Sequence, residues 1–175
     1  MREIVARLSS DPAEVVLLDG PSGAGKSTLA DGLVAAWPGS ARPTLVRMDD
    51  IYPGWGGLTA AGKRVGTHLL APRQRGDRAR WQRHDWERDA PAEWNVVDPG
   101  AALLVEGCGV LTRENAGLAT LTVWLDADDT VRKSRALARD EGAFDAHWDD
   151  WDAQFVEFVR TEGPITSANL VLRGD

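Results

Sequence analysis

The sequence predicts an α/β protein of one domain, in which helices cover both faces of a five-stranded parallel sheet. Five short apolar runs alternate with segments of helical pattern, at residues 15–19, 44–48, 101–105, 121–125 and 169–172. Buried runs of this length, separated by helices, are typical of the strands of a parallel sheet. The chain has 175 residues, of which 43% are hydrophobic, enough for one well-buried core but not for two ordinary domains.

A glycine-rich segment follows the first apolar run. Residues 20–27, GPSGAGKS, match the phosphate-binding pattern G-x-x-x-x-G-K-[ST] at every specified position. Glycines let such a loop turn tightly, and the helix predicted at 27–37 adds the positive charge of its N-terminus. In this motif the lysine, here Lys26, reaches the β- and γ-phosphates, and the serine, here Ser27, ligates Mg²⁺. We therefore predict a P-loop NTPase fold whose nucleotide-binding residues are Gly20, Ser22, Gly23, Ala24, Gly25, Lys26, Ser27 and Thr28.

Acidic residues follow two of the other predicted strands. The second strand, 44–48, runs into Asp49 and Asp50, and the third, 101–105, runs into Glu106. Ligands of a parallel α/β sheet bind beyond the carboxyl ends of its strands, which makes these acids candidates for a site. We predict Glu106 as a second Mg²⁺ ligand beside the phosphate loop, because Mg²⁺ prefers carboxylate oxygens. The alternative is that the aspartates only begin a turn and the glutamate only faces solvent.

The segment 53–98 is rich in Gly, Arg and Trp and has little apolar periodicity. It is too long for a simple loop, so we expect a substrate-region insertion at the rim of the sheet that carries function or small helices. Asp85 is a candidate to accept hydrogen bonds from substrate hydroxyls, with Arg80 nearby for a charged group; a helix cap or a surface salt bridge is the alternative for Asp85. Trp55 is a candidate for stacking on a flat substrate ring. The other tryptophans of the insertion are expected to pack it onto the sheet: Trp81, Trp86 and Trp94.

Three arginines follow the fourth predicted strand at spacings of three and four residues. Arg132, Arg135 and Arg139 therefore lie on one face of a helix within residues 128–142. Phosphoryl transfer needs mobile cations that neutralise the transferred group, so we predict that this segment is a lid, with Arg132 and Arg135 as the stronger candidates for catalysis. The alternative is a solvated basic face that pairs with the neighbouring acids.

These motifs together resemble the uridine kinase and phosphoribulokinase-like branch of the phosphate-loop kinases, over most of the chain. The D-x-F-Y element of that branch is matched by residues 49–52 with Ile in place of Phe, its apolar-Glu-Gly element by 105–107, and its D-x-D-x-x-x-R lid entry approximately by 126–132. The resemblance implies Asp49 as the base on the acceptor hydroxyl, with Asp50 and Tyr52 at the acceptor. If the register is shifted by one residue, Asp50 is the base instead. Residues 80–94 are similar to bacterial proteins labelled uridine-kinase-like, whose substrate is often undefined, and true uridine kinases have a longer substrate region and a C-terminal extension.

The expected activity is an ATP- and Mg²⁺-dependent kinase that transfers the γ-phosphoryl group to a hydroxyl of a small molecule, with a nucleoside as one candidate acceptor. A nucleoside monophosphate, a sugar or an antibiotic is an alternative acceptor. A nucleotide-hydrolysing switch or a sensor without any acceptor is the alternative of a different class, and ATP is not distinguished from GTP.

Composition excludes other partners. The formal net charge of −7 disfavours a general nucleic-acid binder, whose phosphate contacts need a basic face. No apolar run approaches the length of a membrane span, and the single cysteine, Cys108, cannot form an intramolecular disulfide. We therefore expect a cytoplasmic protein without a membrane or nucleic-acid partner, and the oligomeric state stays open.

Overall fold

A parallel sheet of five strands forms the centre of the computed structural model, which describes residues 1–11, 13–139, 142 and 144–174. Its strands are β1 (Val15–Asp19), β2 (Thr44–Arg47), β5 (Leu103–Glu106), β6 (Leu121–Asp126) and β7 (Leu170–Arg173), and they lie in the order β2-β5-β1-β6-β7. Every neighbouring pair in this sheet is parallel. The predicted sheet is confirmed, with strand ends that differ from the expected ones by one or two residues.

Helices cover both faces of this sheet. Alternate residues of β1 enter two separate apolar clusters, with Val15 and Leu17 in one and Val16 and Leu18 in the other, because successive side chains of a strand point to opposite faces. The cluster around Val16 and Leu18 includes residues of α1 and α2, and the other cluster includes residues of α3, α6 and α7. The helices are α1 (Arg2–Val5), α2 (Lys26–Ala35), α3 (Leu58–Val65), α4 (Ala71–Gln74), α5 (Arg113–Ala116), α6 (Asp129–Arg139), α7 (Trp148–Glu162) and α8 (Pro164–Ser167).

The insertion 53–98 contains helices and an antiparallel hairpin. Helix α3 continues through a π-helical segment, Gly66–Leu70, into α4. The hairpin of β3 (Arg80–Asp85) and β4 (Ala90–Val96) comes next and forms a separate two-stranded sheet. Small helices were expected here, but the hairpin was not predicted. Its strands are polar and only partly buried, so they lack the apolar alternation that marks a half-buried strand.

The last two long helices hold the carboxyl-terminal part of the chain against the sheet. Helix α6 occupies most of the segment predicted at 128–142, of which residues 140 and 141 lie outside the described residues. Helix α7 buries one apolar face, and its Phe155 ring stacks on Trp124 of β6 at 5.9 Å between ring centres. Among the helices that the structure describes, none combines the length and apolar character needed to cross a bilayer.

Candidate active site

The glycine-rich loop lies between β1 and α2, where it borders a cavity of about 220 Å³. Gly23 and Gly25 have backbone φ angles of +80° and +95°, values that favour glycine over residues with a side chain. The cavity is lined by residues from the loop, from the ends of β2 and β5, and from α6: Ser22, Gly23, Gly25, Lys26, Ser27, Thr28, Asp49, Glu106, Gly107, Cys108, Arg135 and Ala136. The fold therefore brings together candidate residues that are far apart in the sequence.

Lys26 is the first residue of α2, and its side chain folds back into the loop. Its Nζ donates hydrogen bonds to the carbonyl oxygens of Gly20 at 2.8 Å and Pro21 at 2.9 Å. Burial lowers the pKa of Lys26, but neighbouring negative groups, the carboxylates of Asp19 and Glu106 among them, raise it, and the net shift is upward. The lysine therefore keeps its positive charge inside the cavity, at the place where phosphate oxygens would need it.

Glu106 ends β5 next to the loop, with only 3% of its surface exposed. The side chain of Ser27 forms a hydrogen bond with this carboxylate, and burial raises the pKa of Glu106. The guanidinium of Arg47, at the end of β2, donates from Nη1 to Glu106 Oε1 at 3.0 Å and from Nη2 to Asp31 Oδ1 at 2.6 Å. The Ser27 hydroxyl and the Glu106 carboxylate, both oxygen groups of the kind that Mg²⁺ prefers as ligands, thus lie side by side at the loop.

The aspartates after β2 differ in their surroundings. Both belong to the 3₁₀ turn Met48–Asp50, but only Asp49 is among the residues that line the cavity. Asp49 is exposed, while Asp50 is partly buried, and burial together with the charge of Asp49 raises the pKa of Asp50. The indole Nε1 of Trp86, on the hairpin turn, donates to the backbone oxygen of Asp49 at 2.8 Å. The hairpin thereby touches the segment that carries the candidate base.

Asp19, at the end of β1, is a residue that the sequence analysis missed. Its fully buried carboxylate accepts hydrogen bonds from the backbone N–H groups of Gly20 at 2.6 Å, Gly109 at 3.1 Å and Leu111 at 2.8 Å. Burial raises the pKa of Asp19 from 3.8 to about 6, although these hydrogen bonds and the charge of Lys26 oppose the shift. Asp19 thus ties the phosphate loop to the loop after β5. An acid that closes a strand directly before the glycine-rich loop was the signal that could have revealed it.

Cys108 is buried beside the glycine-rich loop, next to Gly20 and Lys26. The thiol is buried, with Sγ at 3.3 Å from the Gly20 carbonyl oxygen and 3.4 Å from Lys26 Nζ. Burial raises the pKa of the Cys108 thiol. A neutral thiol donor that packs under the loop agrees with these contacts.

The predicted lid arginines point in different directions. Arg135 lines the cavity. Arg132 instead is buried against α7, where its Nε donates to Asp129 at 2.7 Å and its Nη1 donates to Asp152 at 2.9 Å. The side chain of Arg139 lies outside the described part of the chain. The Arg132 guanidinium is therefore turned away from the cavity, because the acids of α6 and α7 hold it.

Two aromatic residues predicted to face the acceptor are packed within the protein. Tyr52 is 2% exposed, and its hydroxyl donates to the backbone oxygen of Cys108 at 2.8 Å. This position differs from the expected substrate contact, because the ring belongs to the apolar core. The Trp55 ring stacks on His147 at 4.4 Å and on Phe144 at 5.2 Å, so part of its surface is already covered by other rings of the protein.

The structure does not bring Arg80 and Asp85 together. Asp85 accepts hydrogen bonds from the backbone N–H groups of Glu87 and Arg88 at the hairpin turn, and its carboxylate pairs with the Arg88 guanidinium at 3.2 Å. This matches the salt-bridge alternative, whereas the turn that Asp85 caps belongs to a hairpin and not to a helix. These bonds, with the backbone N–H of Arg88 foremost, lower the pKa of Asp85. Arg80 begins β3 at the other end of the hairpin, where its guanidinium lies 4.4 Å above the Trp94 ring. A strand rises about 3.3 Å per residue, so roughly 16 Å separates the two positions.

Comparisons with known proteins show similarity at the level of structure. No protein-family model matches the chain, and no curated protein sequence matches it significantly. A candidate uridine kinase from Bacillus stearothermophilus superimposes with a TM-score of 0.67 at 20% identity, over 98% of this chain and 94% of that chain. A candidate fructose transport system kinase from Silicibacter sp. TM1040 superimposes with a TM-score of 0.58 at 20% identity, over 97% of this chain and 95% of that chain. At this identity the similarity establishes the architecture, and this chain therefore has the α/β fold of the P-loop kinases.

Proposed function

We propose that this protein is an ATP- and Mg²⁺-dependent kinase that transfers the γ-phosphoryl group to a hydroxyl of a small molecule in the cytoplasm. One observation carries the proposal: a complete phosphate-binding loop borders a cavity that also holds Lys26, Glu106 and the exposed carboxylate of Asp49. These are the parts that phosphoryl transfer needs, because that reaction depends on positioning and charge neutralisation. The names of the two similar structures, which refer to uridine and to fructose transport, agree with a small-molecule acceptor.

The phosphate side of the cavity fits a magnesium nucleotide. The positive φ angles of Gly23 and Gly25 let the loop backbone approach phosphate oxygens, and the charged Lys26 lies beside it. Among the described residues no group of three or more His, Cys, Asp or Glu could hold a metal. Ser27 and Glu106 instead match the incomplete protein shell that Mg²⁺ commonly takes beside phosphates and waters. When bound there, Mg²⁺ would neutralise charge on the phosphate oxygens.

The acceptor side begins at Asp49. Its carboxylate faces the cavity, so it can accept the proton that an acceptor hydroxyl loses as it attacks the γ-phosphorus. The hydrogen bond from Trp86 to the Asp49 backbone oxygen fixes the turn that carries this carboxylate. Arg135 is the lid cation that lines the cavity, so we assign to it the neutralisation of charge on the transferred group.

A coupled assay of ADP release tests this proposal against the alternative of a switch or sensor. The acceptors to screen are nucleosides, nucleoside monophosphates, sugars and hydroxyl-bearing antibiotics. A kinase releases ADP faster when its acceptor is present, whereas a switch hydrolyses ATP at a rate that no acceptor changes. Lys26→Ala should abolish either activity while the protein stays folded, because this lysine is a point charge for phosphates. Unchanged turnover in a folded Lys26→Ala variant would remove the nucleotide site from the proposal.

The adjacent aspartates give a matched test of the base. Asp49→Asn should lower kcat by roughly 10²-fold with little change in ATP affinity, because general-base assistance contributes about that much. Asp50→Asn changes the same charge one residue away and should be mild. If instead Asp50→Asn abolishes turnover and Asp49→Asn is mild, the assignment of the base is wrong by one residue. Melting temperatures of both variants show whether either loss comes from unfolding.

A further inference from the structure

Arg47 joins the candidate magnesium ligand to helix α2. Arg47 and Glu106 are direct neighbours in the register of β2 and β5, and their side chains therefore point to the same face of the sheet. Helix α2 covers that face, and its Asp31 receives the second branch of the guanidinium. One arginine thus connects three elements that surround the end of the phosphate loop.

The contacts of Arg47 restrict how the Glu106 carboxylate can turn. Glu106 is almost fully buried, so its charge needs partners at fixed positions, and Arg47 binds Oε1 at 3.0 Å. The Ser27 side chain hydrogen-bonds the same carboxylate, so Arg47 and Ser27 together set its orientation. The bond to Asp31 holds the guanidinium itself, because its planar, forked geometry is fixed once both Nη atoms are engaged.

We propose that Arg47 is a positioning residue for Glu106: it holds the carboxylate beside Ser27, in the orientation in which it would meet Mg²⁺ or a magnesium-bound water. This inference rests on the proposed nucleotide site. Nothing in the glycine-rich motif or in the acids after the strands requires an arginine at this position. The role follows from the hydrogen bonds alone, and Arg47 acts on the metal through Glu106, without contact to substrate.

Two effects of Arg47 on Mg²⁺ affinity oppose each other. A guanidinium next to the site repels the cation, so its removal alone would strengthen Mg²⁺ binding. Removal also frees the carboxylate to rotate, and loss of a residue that orients a metal ligand weakens metal affinity or activity by about 10- to 100-fold. Arg47 is partly exposed and its charge is already matched by Asp31 and Glu106, so solvent and these acids screen the repulsion. We expect the orienting effect to dominate.

The test measures Mg²⁺ dependence without turnover. The full chain is titrated with Mg²⁺ at a fixed concentration of a non-hydrolysable ATP analogue, and the rise in melting temperature gives the half-maximal Mg²⁺ concentration. In Arg47→Met, which keeps much of the stem but loses the guanidinium, this concentration should rise about tenfold. Arg47→Lys keeps the charge but not the fork, and should lie between wild type and Arg47→Met. Stabilisation by the analogue with EDTA present should not change.

A matched control and three outcomes decide the inference. The control is Arg75→Met. Arg75 also pairs with an aspartate, Asp77, but it does not line the cavity, so its replacement should leave the Mg²⁺ midpoint unchanged. An unchanged midpoint in Arg47→Met would overturn the positioning role, and a lowered midpoint would show that repulsion dominates instead. If wild type itself gains no Mg²⁺-dependent stabilisation from the analogue, the proposed function fails, which is a different result from a failure of Arg47 alone.

Discussion

Replacement of Gly23 by alanine tests whether the glycine-rich loop and helix α6 are packed as a rigid unit. Gly23 lies in the middle of the phosphate loop, against the backbone of Arg132 in the first half of α6. A Cβ atom at this position would lie 1.9 Å from the carbonyl oxygen of Arg132. We expect Gly23→Ala to lower both stability and nucleotide affinity, because the loop must move away from α6 to make room.

The size of the effect follows from the geometry. Cβ atoms essentially never come closer than 3.0 Å to such a neighbour, so loop and helix must separate by at least about 1 Å. Both sides of this contact are backbone, and no side-chain rotation can relieve it. Overpacking of this kind costs about 1–3 kcal/mol, and the φ of +80° adds about 1 kcal/mol for a residue with a Cβ. The free energy of unfolding should fall by about 3 kcal/mol.

Gly25→Ala is the matched control for Gly23→Ala. Gly25 has a similar φ of +95°, but its Cβ would meet no atom of the described residues within 4 Å, so this variant carries the backbone strain without the collision. Urea unfolding of the ligand-free proteins should show a loss of about 1 kcal/mol for Gly25→Ala, roughly a third of the loss for Gly23→Ala. Equal losses in the two variants would refute the reasoning, since the collision with α6 would then have no energetic effect.

Two further predictions concern buried groups under the loop. The pKa of Asp19 is raised from 3.8 to about 6, so the folded protein binds the proton of this carboxyl group more tightly than the unfolded chain does. The stability that the protonated group contributes is therefore complete below pH 3.8 and is lost as the pH rises through about 6. Urea unfolding from pH 4 to 8 should therefore show the stability of wild type relative to Asp19→Asn falling by about 2.5 kcal/mol, and a pH-independent difference would contradict the shift. The indole Nε1 of Trp151 donates to Ser22 Oγ at 3.0 Å, and Trp151→Phe removes this bond. One neutral hydrogen bond is worth about 1 kcal/mol, so the ATP affinity measured by calorimetry should weaken about fivefold in Trp151→Phe and by the same factor in Ser22→Ala. Unchanged affinity in both variants would show that this bond does not hold the loop in the conformation that binds nucleotide.

Features that depend on short stretches of chain could be predicted from the sequence. The phosphate loop is a contiguous motif whose glycines meet local backbone requirements, and the strands of the sheet are contiguous apolar runs that had to be buried. The carboxyl ends of parallel strands lie at the same edge of a sheet, and this rule was enough to predict that Asp49 and Glu106 lie near the loop. The hairpin of β3 and β4 could not be predicted from the sequence, because its partly exposed strands lack the regular pattern of apolar residues that marks a buried strand.

The direction in which individual side chains face depends on contacts between distant parts of the chain. The spacing that put Arg132 and Arg135 on one helix face did not reveal that Asp152 of α7 would hold Arg132 away from the cavity that Arg135 lines. Tyr52 lies in the apolar core, where its hydroxyl donates to a backbone oxygen 56 residues further along the chain. Arg47 contacts Glu106 because the register of β2 and β5 places the two residues side by side. These outcomes depend on long-range packing and pairing of charges, whose energies are set by neighbours that are distant in sequence.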